Sequence, residues 1–259
     1  MEIQFSKYQG TGNDFVIIDN RDGNIVLSNT QIAFLCDRKF GVGADGLILL
    51  GNAAGYDFSM AYFNKDGTEG TMCGNGGRCL VQYAYDHGIV KEKYFFIAID
   101  GPHEASIENN GWIHLKMSDV NAVEVGDHFF LTNTGSPHFV QLVHDVESFD
   151  VVTAGKSIRY NDRFKEEGVN VNFIEFHNDH LFVRTYERGV ENETYSCGTG
   201  VTAAAITTHL NKIGEHHVSI KTLGGALAVS FNNQGGGHFN QIWLQGPGTF
   251  VYNASIKLK

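Results

Sequence analysis

Two short segments hold residue types that can do chemistry together: Met72-Cys73-Gly74-Asn75-Gly76-Gly77 and Ser196-Cys197-Gly198-Thr199-Gly200-Val201. Each places a cysteine and a Gly-x-Gly turn at the start of a stretch with helical apolar spacing. Glycine lets the backbone come close to a ligand. A helix start offers unpaired N–H groups and the positive end of its dipole, which suits a carboxylate. The same field favours the thiolate form of a cysteine. The two cysteines lie 124 positions apart, about half the chain, and each follows a strand and a polar loop, Tyr62 to Gly67 in one case and Tyr186 to Gly189 in the other. Related halves with a pseudo-twofold would let both helix starts converge on one carboxylate, with a sulfur on each side of the carbon that bears it. That arrangement suits inversion of an α-carbon. One thiolate removes the proton, the opposing thiol delivers one, and the helix N–H groups stabilise the enediolate-like charge.

The elements that must position these groups are mostly strands. Short alternating or β-branched runs at residues 3–8, 15–19, 57–63, 94–99, 112–117, 170–176, 180–186, 218–221, 226–231, 241–244 and 250–258 predict strands. Three segments predict helices. One starts after Ser28 as N-cap and carries Ile32, Leu35 and Cys36 on one stripe before Gly41. A second runs from about Asn75 to His87 and stops at Gly88, and a third runs from about Thr199 to Lys212. The Gly-rich stretch Gln234–Gly237 predicts a hairpin connection. The fold class is therefore α+β, in two pseudo-symmetric halves, each a strand-rich sheet around a central helix. The halves are expected at residues 1–118 plus about 246–259, carrying Cys73, and 119–245, carrying Cys197, with the boundary near 118–123.

Composition narrows the function. The 259 residues include 19 Lys+Arg against 29 Asp+Glu, a formal charge of −10, which argues against nucleic acid or an anionic membrane as partner. No apolar run reaches the ~18 residues of a membrane span, and the first ten residues lack a signal-peptide layout. A soluble, cytoplasmic protein is expected, with its four cysteines as free thiols. Cys36 fits core packing, and Cys79 a structural place on the second helix. No C-x-x-C pair is present, and the pairs His216-His217 and His177 with His180 read as surface positions, so no metal site is expected.

The motifs taken together resemble the diaminopimelate epimerase family over nearly the whole chain. They run in order from Lys7-Tyr8-Gln9-Gly10-Thr11-Gly12-Asn13-Asp14-Phe15 through Gly41-Val42-Gly43-Ala44-Asp45, Phe63-Asn64, Met72 to Cys79, Gly135-Ser136-Pro137-His138, Val169-Asn170 and Tyr186-Glu187-Arg188-Gly189 to Ser196-Cys197-Gly198-Thr199-Gly200. The resemblance implies that Cys73 and Cys197 are proton donor and acceptor, with His138 and Glu187 tuning their protonation. It implies that Gly74, Asn75, Gly198 and Thr199 supply amides around the reacting carboxylate. Asn13, Asn64, Asn170, Glu187 and Arg188 would hold the amino groups and the distal carboxylate, for which a guanidinium is apt. It further implies barrel-like halves, a homodimer, no cofactor, and interconversion of LL- and meso-diaminopimelate, a small diamino-dicarboxylate, for lysine and peptidoglycan synthesis.

Three positions depart from the family pattern. Gly46 stands where Gln is frequent, Ser136 where Asn is common, and the loop from Glu187 to Cys197 is about one residue longer. The first two are expected to remove polar side chains from the substrate's surroundings. Competing functions are another amino-acid racemase or isomerase of the same fold, and a thiol redox-sensing binding protein in which the two cysteines form a disulfide.

Overall fold

The structure, a computed structural model, describes residues 1–258. Its internal contacts divide the chain into two units, Met1–Leu115 with the chain from Gly246 onward, and Lys116–Gln245.

The first unit contains β1 (Glu2–Gly10), β2 (Asn13–Asp19), α1 (Asn29–Cys36), β3 (Gly46–Gly51), β4 (Phe58–Asn64), β5 (Glu69–Gly70), α2 (Gly74–Asp86), β6 (Lys93–Ala98), β7 (Gly101–Ile107) and β8 (Trp112–Lys116). The second contains β9 (Val123–Val125), β10 (Phe130–Asn133), β11 (Pro137–Leu142), α3 (Val151–Arg159), β12 (Asn170–Phe176), β13 (Leu181–Glu187), β14 (Asn192–Thr194), α4 (Gly198–Thr207), β15 (Gly214–Thr222), β16 (Gly225–Gly235) and β17 (His238–Pro247). The last strand, β18 (Thr249–Lys257), returns to the first unit and lies antiparallel along β1.

The same pairing scheme occurs in both units. In the first, β1 is antiparallel to β2, β2 is parallel to β3, β3 is antiparallel to β4, and β4 is antiparallel to β5 and parallel to β6, which begins the meander β6–β7–β8. In the second, β10 through β17 repeat these relations strand for strand. The helices match as well. Each parallel pair, β2–β3 and β11–β12, is joined through a short helix (α1, α3), and a central helix (α2, α4) follows each short strand, β5 or β14. The outer strand on β1 is β18, and the outer strand on β10 is β9.

Each sheet wraps its central helix. α2 touches β1, β2, β3, β4, β7 and β18, and α4 touches β10, β11, β12, β13, β15 and β16. Both helices are therefore buried on nearly all sides, and α4 (GTGVTAAAIT) is built from small apolar residues that fit such a place. The opposite face of each sheet is covered by the short helix. Ile32, Leu35 and Cys36 of α1 pack on Phe5, Val16, Ile18 and Leu47, while Val151 of α3 packs with Phe139, Phe173, Phe182 and Tyr186.

Helix termini follow local chemistry. Ser28 caps α1 in a reciprocal capping box with Gln31. Gly88 follows α2 with φ +91°. β16 and β17 join through Gly236 and Gly237, both at positive φ, as a hairpin. The third predicted helix ends at Thr207, earlier than expected, and its remaining residues to Asn211 form turns. Strands β3, β5, β7, β9, β10, β11 and β14 and helix α3 were not expected. β3 (GLILLG) is a continuous apolar run, as suits a strand covered on both faces. α3 (VVTAGKSIR) opens with two valines and carries Gly155, where a β-carbon would lie 2.4 Å from that of Tyr186. Cys36 and Cys79 are buried, and among the described residues no cysteine is in a disulfide. Among the described residues no helix is long and apolar enough to cross a membrane.

Candidate active site

Cys73 and Cys197 occupy equivalent places, each the N-cap of its central helix and each in extended backbone conformation. Serine, threonine, aspartate or asparagine at such a position would cap the helix amides. Neither cysteine side chain does so. The first helical bonds run from Gly77 N to Cys73 O and from Val201 N to Cys197 O. The amides of Gly74, Asn75 and Gly76, and of Gly198, Thr199 and Gly200, precede any intrahelical acceptor, which is the geometry of an anion site.

In the first unit, Asn13 accepts from Cys73 Sγ at 3.7 Å through its Oδ1. The orientation of that amide is fixed from both sides. Its Nδ2 donates to Asp45 at 2.9 Å, and its Oδ1 also receives Asn75 Nδ2 at 3.3 Å. Asn75 is oriented in turn by Arg78, whose Nη2 donates to Asn75 Oδ1 at 2.9 Å. Arg78 is wholly buried and donates further to Thr11 Oγ1 and to the carbonyls of Gly74 and Pro247. Burial pulls its guanidinium down to about 10, so it stays charged at neutral pH. Asn13 and its neighbours are held from behind by ion pairs of Asp14 with Lys7 (2.7 Å) and Arg38 (2.6 Å). Burial would raise the Asp14 carboxyl, but hydrogen bonds from Arg38 and Lys7 prevail and hold it at about 2.

In the second unit a hydrogen-bonded chain ends on Cys197. Asn172 Oδ1 accepts from Thr185 Oγ1 (2.9 Å), so its Nδ2 is the group facing His138 Nδ1 (3.1 Å). Nδ1 therefore accepts, and the imidazole proton sits on Nε2. Nε2 lies 3.0 Å from Ser136 Oγ, which also accepts from Asn170 Nδ2 at 3.1 Å. With both lone pairs engaged, Ser136 gives its hydrogen to Thr199 Oγ1 at 3.2 Å. Thr199 Oγ1 in turn stands 3.5 Å from Cys197 Sγ, with its hydrogen available to the sulfur. His138 is fully buried, and desolvation, assisted by the charge of Arg188, pushes it down to about 3, so it is neutral. Gly200 is required by this packing, because a β-carbon there would lie 2.4 Å from Asn172 Oδ1.

The structure adds detail around several expected site residues. His138 reaches Cys197 through two hydroxyls, and burial keeps its ring neutral near pH 7. Asn170 is buried and spends both amide hydrogens on Ser136 Oγ and Pro137 O, while its Oδ1 accepts from Arg188 N. It therefore positions Ser136 and Arg188. Ser136, expected as a loss of polar contact, is the junction of the chain. Glu187 accepts from Thr194 Oγ1 at 2.9 Å and pairs with Asn192 across a hairpin whose loop holds exposed Arg188. Asn64 lies exposed at the end of β4. Asn172, Thr185 and Arg78 carried no role in the sequence reasoning. The pattern Asn170-x-Asn172 on a strand puts both side chains on one face and was the available signal.

Structures with this two-unit α+β fold include epimerases and racemases. The chain superimposes on a phenazine biosynthesis protein of the PhzF family from Bacillus anthracis with TM-score 0.79 at 14% identity, each chain covered in full. It is similar to a hydroxyproline epimerase from Agrobacterium vitis with TM-score 0.70 at 15% identity, covering 98% of this chain and 92% of that one. Sequence defines the group more narrowly. The diaminopimelate epimerase family pattern matches residues 5–123 and 130–249. A diaminopimelate epimerase from Flavobacterium psychrophilum is 50% identical over 98% of this chain and all of the relative, and one from Aquifex aeolicus is 41% identical over 98% of each. The chain belongs to the diaminopimelate epimerase family.

Proposed function

We propose that this protein interconverts LL- and meso-diaminopimelate, with Cys73 and Cys197 as its acid/base pair. The observation that carries this is the equivalence of the two cysteines, each an uncapped N-cap before Gly-x-Gly, in a chain half identical to an enzyme of that name.

Inversion needs a base on one face of the α-carbon and an acid on the other. One thiolate takes the α-hydrogen as a proton and becomes a thiol. The electron pair left behind delocalises into the carboxylate, where helix-start amides of Gly74, Asn75, Gly198 and Thr199 stabilise the added charge. The second thiol gives its proton to the opposite face and becomes a thiolate, and the reverse reaction exchanges the roles. The surroundings of the two sulfurs support unequal starting states. Asn13 Oδ1 is a fixed acceptor beside Cys73, which favours the thiol, while Thr199 offers a hydrogen to Cys197, which favours the thiolate. Asn13, Asn64, Glu187 and Arg188 hold the amino groups and the distal carboxylate. The enzyme acts in the cytoplasm as a homodimer and serves lysine and peptidoglycan precursor synthesis.

The test is α-hydrogen exchange. In deuterated water with a thiol reductant, LL-diaminopimelate should gain deuterium at an α-carbon as the meso isomer forms, while proline should gain none. Cys73→Ala and Cys197→Ala should each abolish epimerisation. A correctly folded wild-type protein that exchanges no α-hydrogen of diaminopimelate overturns the proposal.

A further inference from the structure

The inner face of the first sheet carries a polar group that the functional motifs do not include. Gly46 and Asn64 are directly opposed across β3 and β4, and Ile48 is opposed to Tyr62. Side chains at 46, 48, 62 and 64 therefore share one face, and so does Met60, two positions before Tyr62. That face is turned toward the start of α2, because a β-carbon on Gly76 would touch Ile48, Met60 and Phe15.

The ring of Tyr62 lies between two glycines, one on each neighbouring strand. A β-carbon at Gly46 would stand 2.6 Å from its Cε2 and 3.2 Å from its hydroxyl. A β-carbon at Gly70, its partner on β5, would stand 3.2 Å from its Cδ1. The edge of Phe15 supports the ring at 6.1 Å and an angle of 73°. So held, the hydroxyl donates to Asn64 Oδ1 at 3.3 Å. The other end of that carboxamide, Nδ2, points to Thr68 O and Oγ1, both at 3.4 Å. The tyrosine hydroxyl, holding Oδ1, and Thr68, accepting from Nδ2, together set which end of the exposed Asn64 amide is the donor.

We infer that Tyr62 is a positioning residue for substrate recognition: its hydroxyl occupies the space left by the missing side chain at Gly46 and fixes Asn64 as a hydrogen-bond donor toward a carboxylate of the diamino-dicarboxylate. This rests on the function proposed above. The glycines at 46 and 70 are then the condition for having a tyrosine at 62, since any side chain at 46 would displace the ring.

The decisive variant is Tyr62→Phe, which keeps the ring and removes one hydroxyl. Removal of one neutral hydrogen bond should raise KM for LL-diaminopimelate about five- to tenfold, with kcat within about twofold and an unchanged melting temperature. A structural role alone would lower the melting temperature without this KM-against-kcat split. In a Tyr62→Leu background, adding Gly46→Gln restores a polar group to the vacated space and should bring KM back toward wild type. An unchanged KM for Tyr62→Phe, in a series where the wild type epimerises diaminopimelate, overturns this inference alone. A wild type inactive on diaminopimelate overturns the proposed function, a separate outcome.

Discussion

Ser136 Oγ stands 3.0 Å from Nε2 of His138, and it couples a wholly buried imidazole to a cysteine that His138 itself does not reach. The neutral ring gives the chain its direction, because its one hydrogen must go to the serine. From there the hydrogens point through Thr199 to the sulfur of Cys197. Removing Ser136 should therefore act on Cys197. Ser136→Ala should lower kcat about five- to tenfold, the scale of one neutral hydrogen bond, with KM little changed. It should also shift the acid limb of the kcat profile upward. Steady-state kinetics across pH provides the check, and an unaltered profile would remove Ser136 from the relay.

The two thiols should label differently. Cys197 faces a hydroxyl that donates, and Cys73 a carboxamide oxygen that accepts. In substrate-free protein, iodoacetamide labelling of Cys197 should persist to lower pH than labelling of Cys73, as read by peptide mass spectrometry. Thr199→Val should narrow the difference. Identical pH dependence at both sites would contradict the fixed polarity described here.

His138 makes stability depend on acid. Its folded-state value near 3 lies below the ordinary 6.5, so the unfolded chain binds a proton that the folded chain refuses. Stability from this group is present above pH 6.5 and is lost as pH falls toward 3, with a limiting slope of about 1.4 kcal/mol per pH unit. Chemical denaturation between pH 7 and 4 should show a steeper loss for wild type than for His138→Gln. Imidazole NMR signals should keep His138 neutral at pH 5, and a protonated ring there would refute the assignment.

The ion pairs behind Asn13 work over a lower range. Asp14, held at about 2 by Arg38 and Lys7, contributes stability above pH 4 that disappears as pH falls through about 2. Lys7 is buried and also donates to the carbonyl of Gly43. Asp14→Asn leaves that ammonium without its carboxylate, and should cost about 3 kcal/mol or more of unfolding free energy. Equilibrium urea unfolding at pH 7 measures it.

Much of this was legible in the chain because the chemistry is local. Cysteine followed by Gly-x-Gly marked both helix starts, Ser28 and Gly88 marked helix ends, and alternation marked most of the strands. What escaped depends on partners distant in sequence. α3 is helical although it opens on two valines, because it occupies the place between β11 and β12 that α1 occupies between β2 and β3. Knowing the repeat would have called for it. β3 lacks alternation because both of its faces are covered. Ser136 read as a deletion from a motif, since its worth lies in Asn170, His138 and Thr199, which only folding collects around it. Tyr62 read only as the end of a strand leading into a polar loop, and the glycines that make room for it lie on two other strands.

The pairing of β18 with β1 has a consequence for synthesis. The second unit is one uninterrupted stretch of chain and has all its strands as soon as residue 247 leaves the ribosome. The first unit, although made earlier, waits with the long edge of β1 open until residues 249–257 arrive to cover it. Maturation therefore finishes in the half that was translated first, and chains stopped short of the last strand should expose that edge to aggregation.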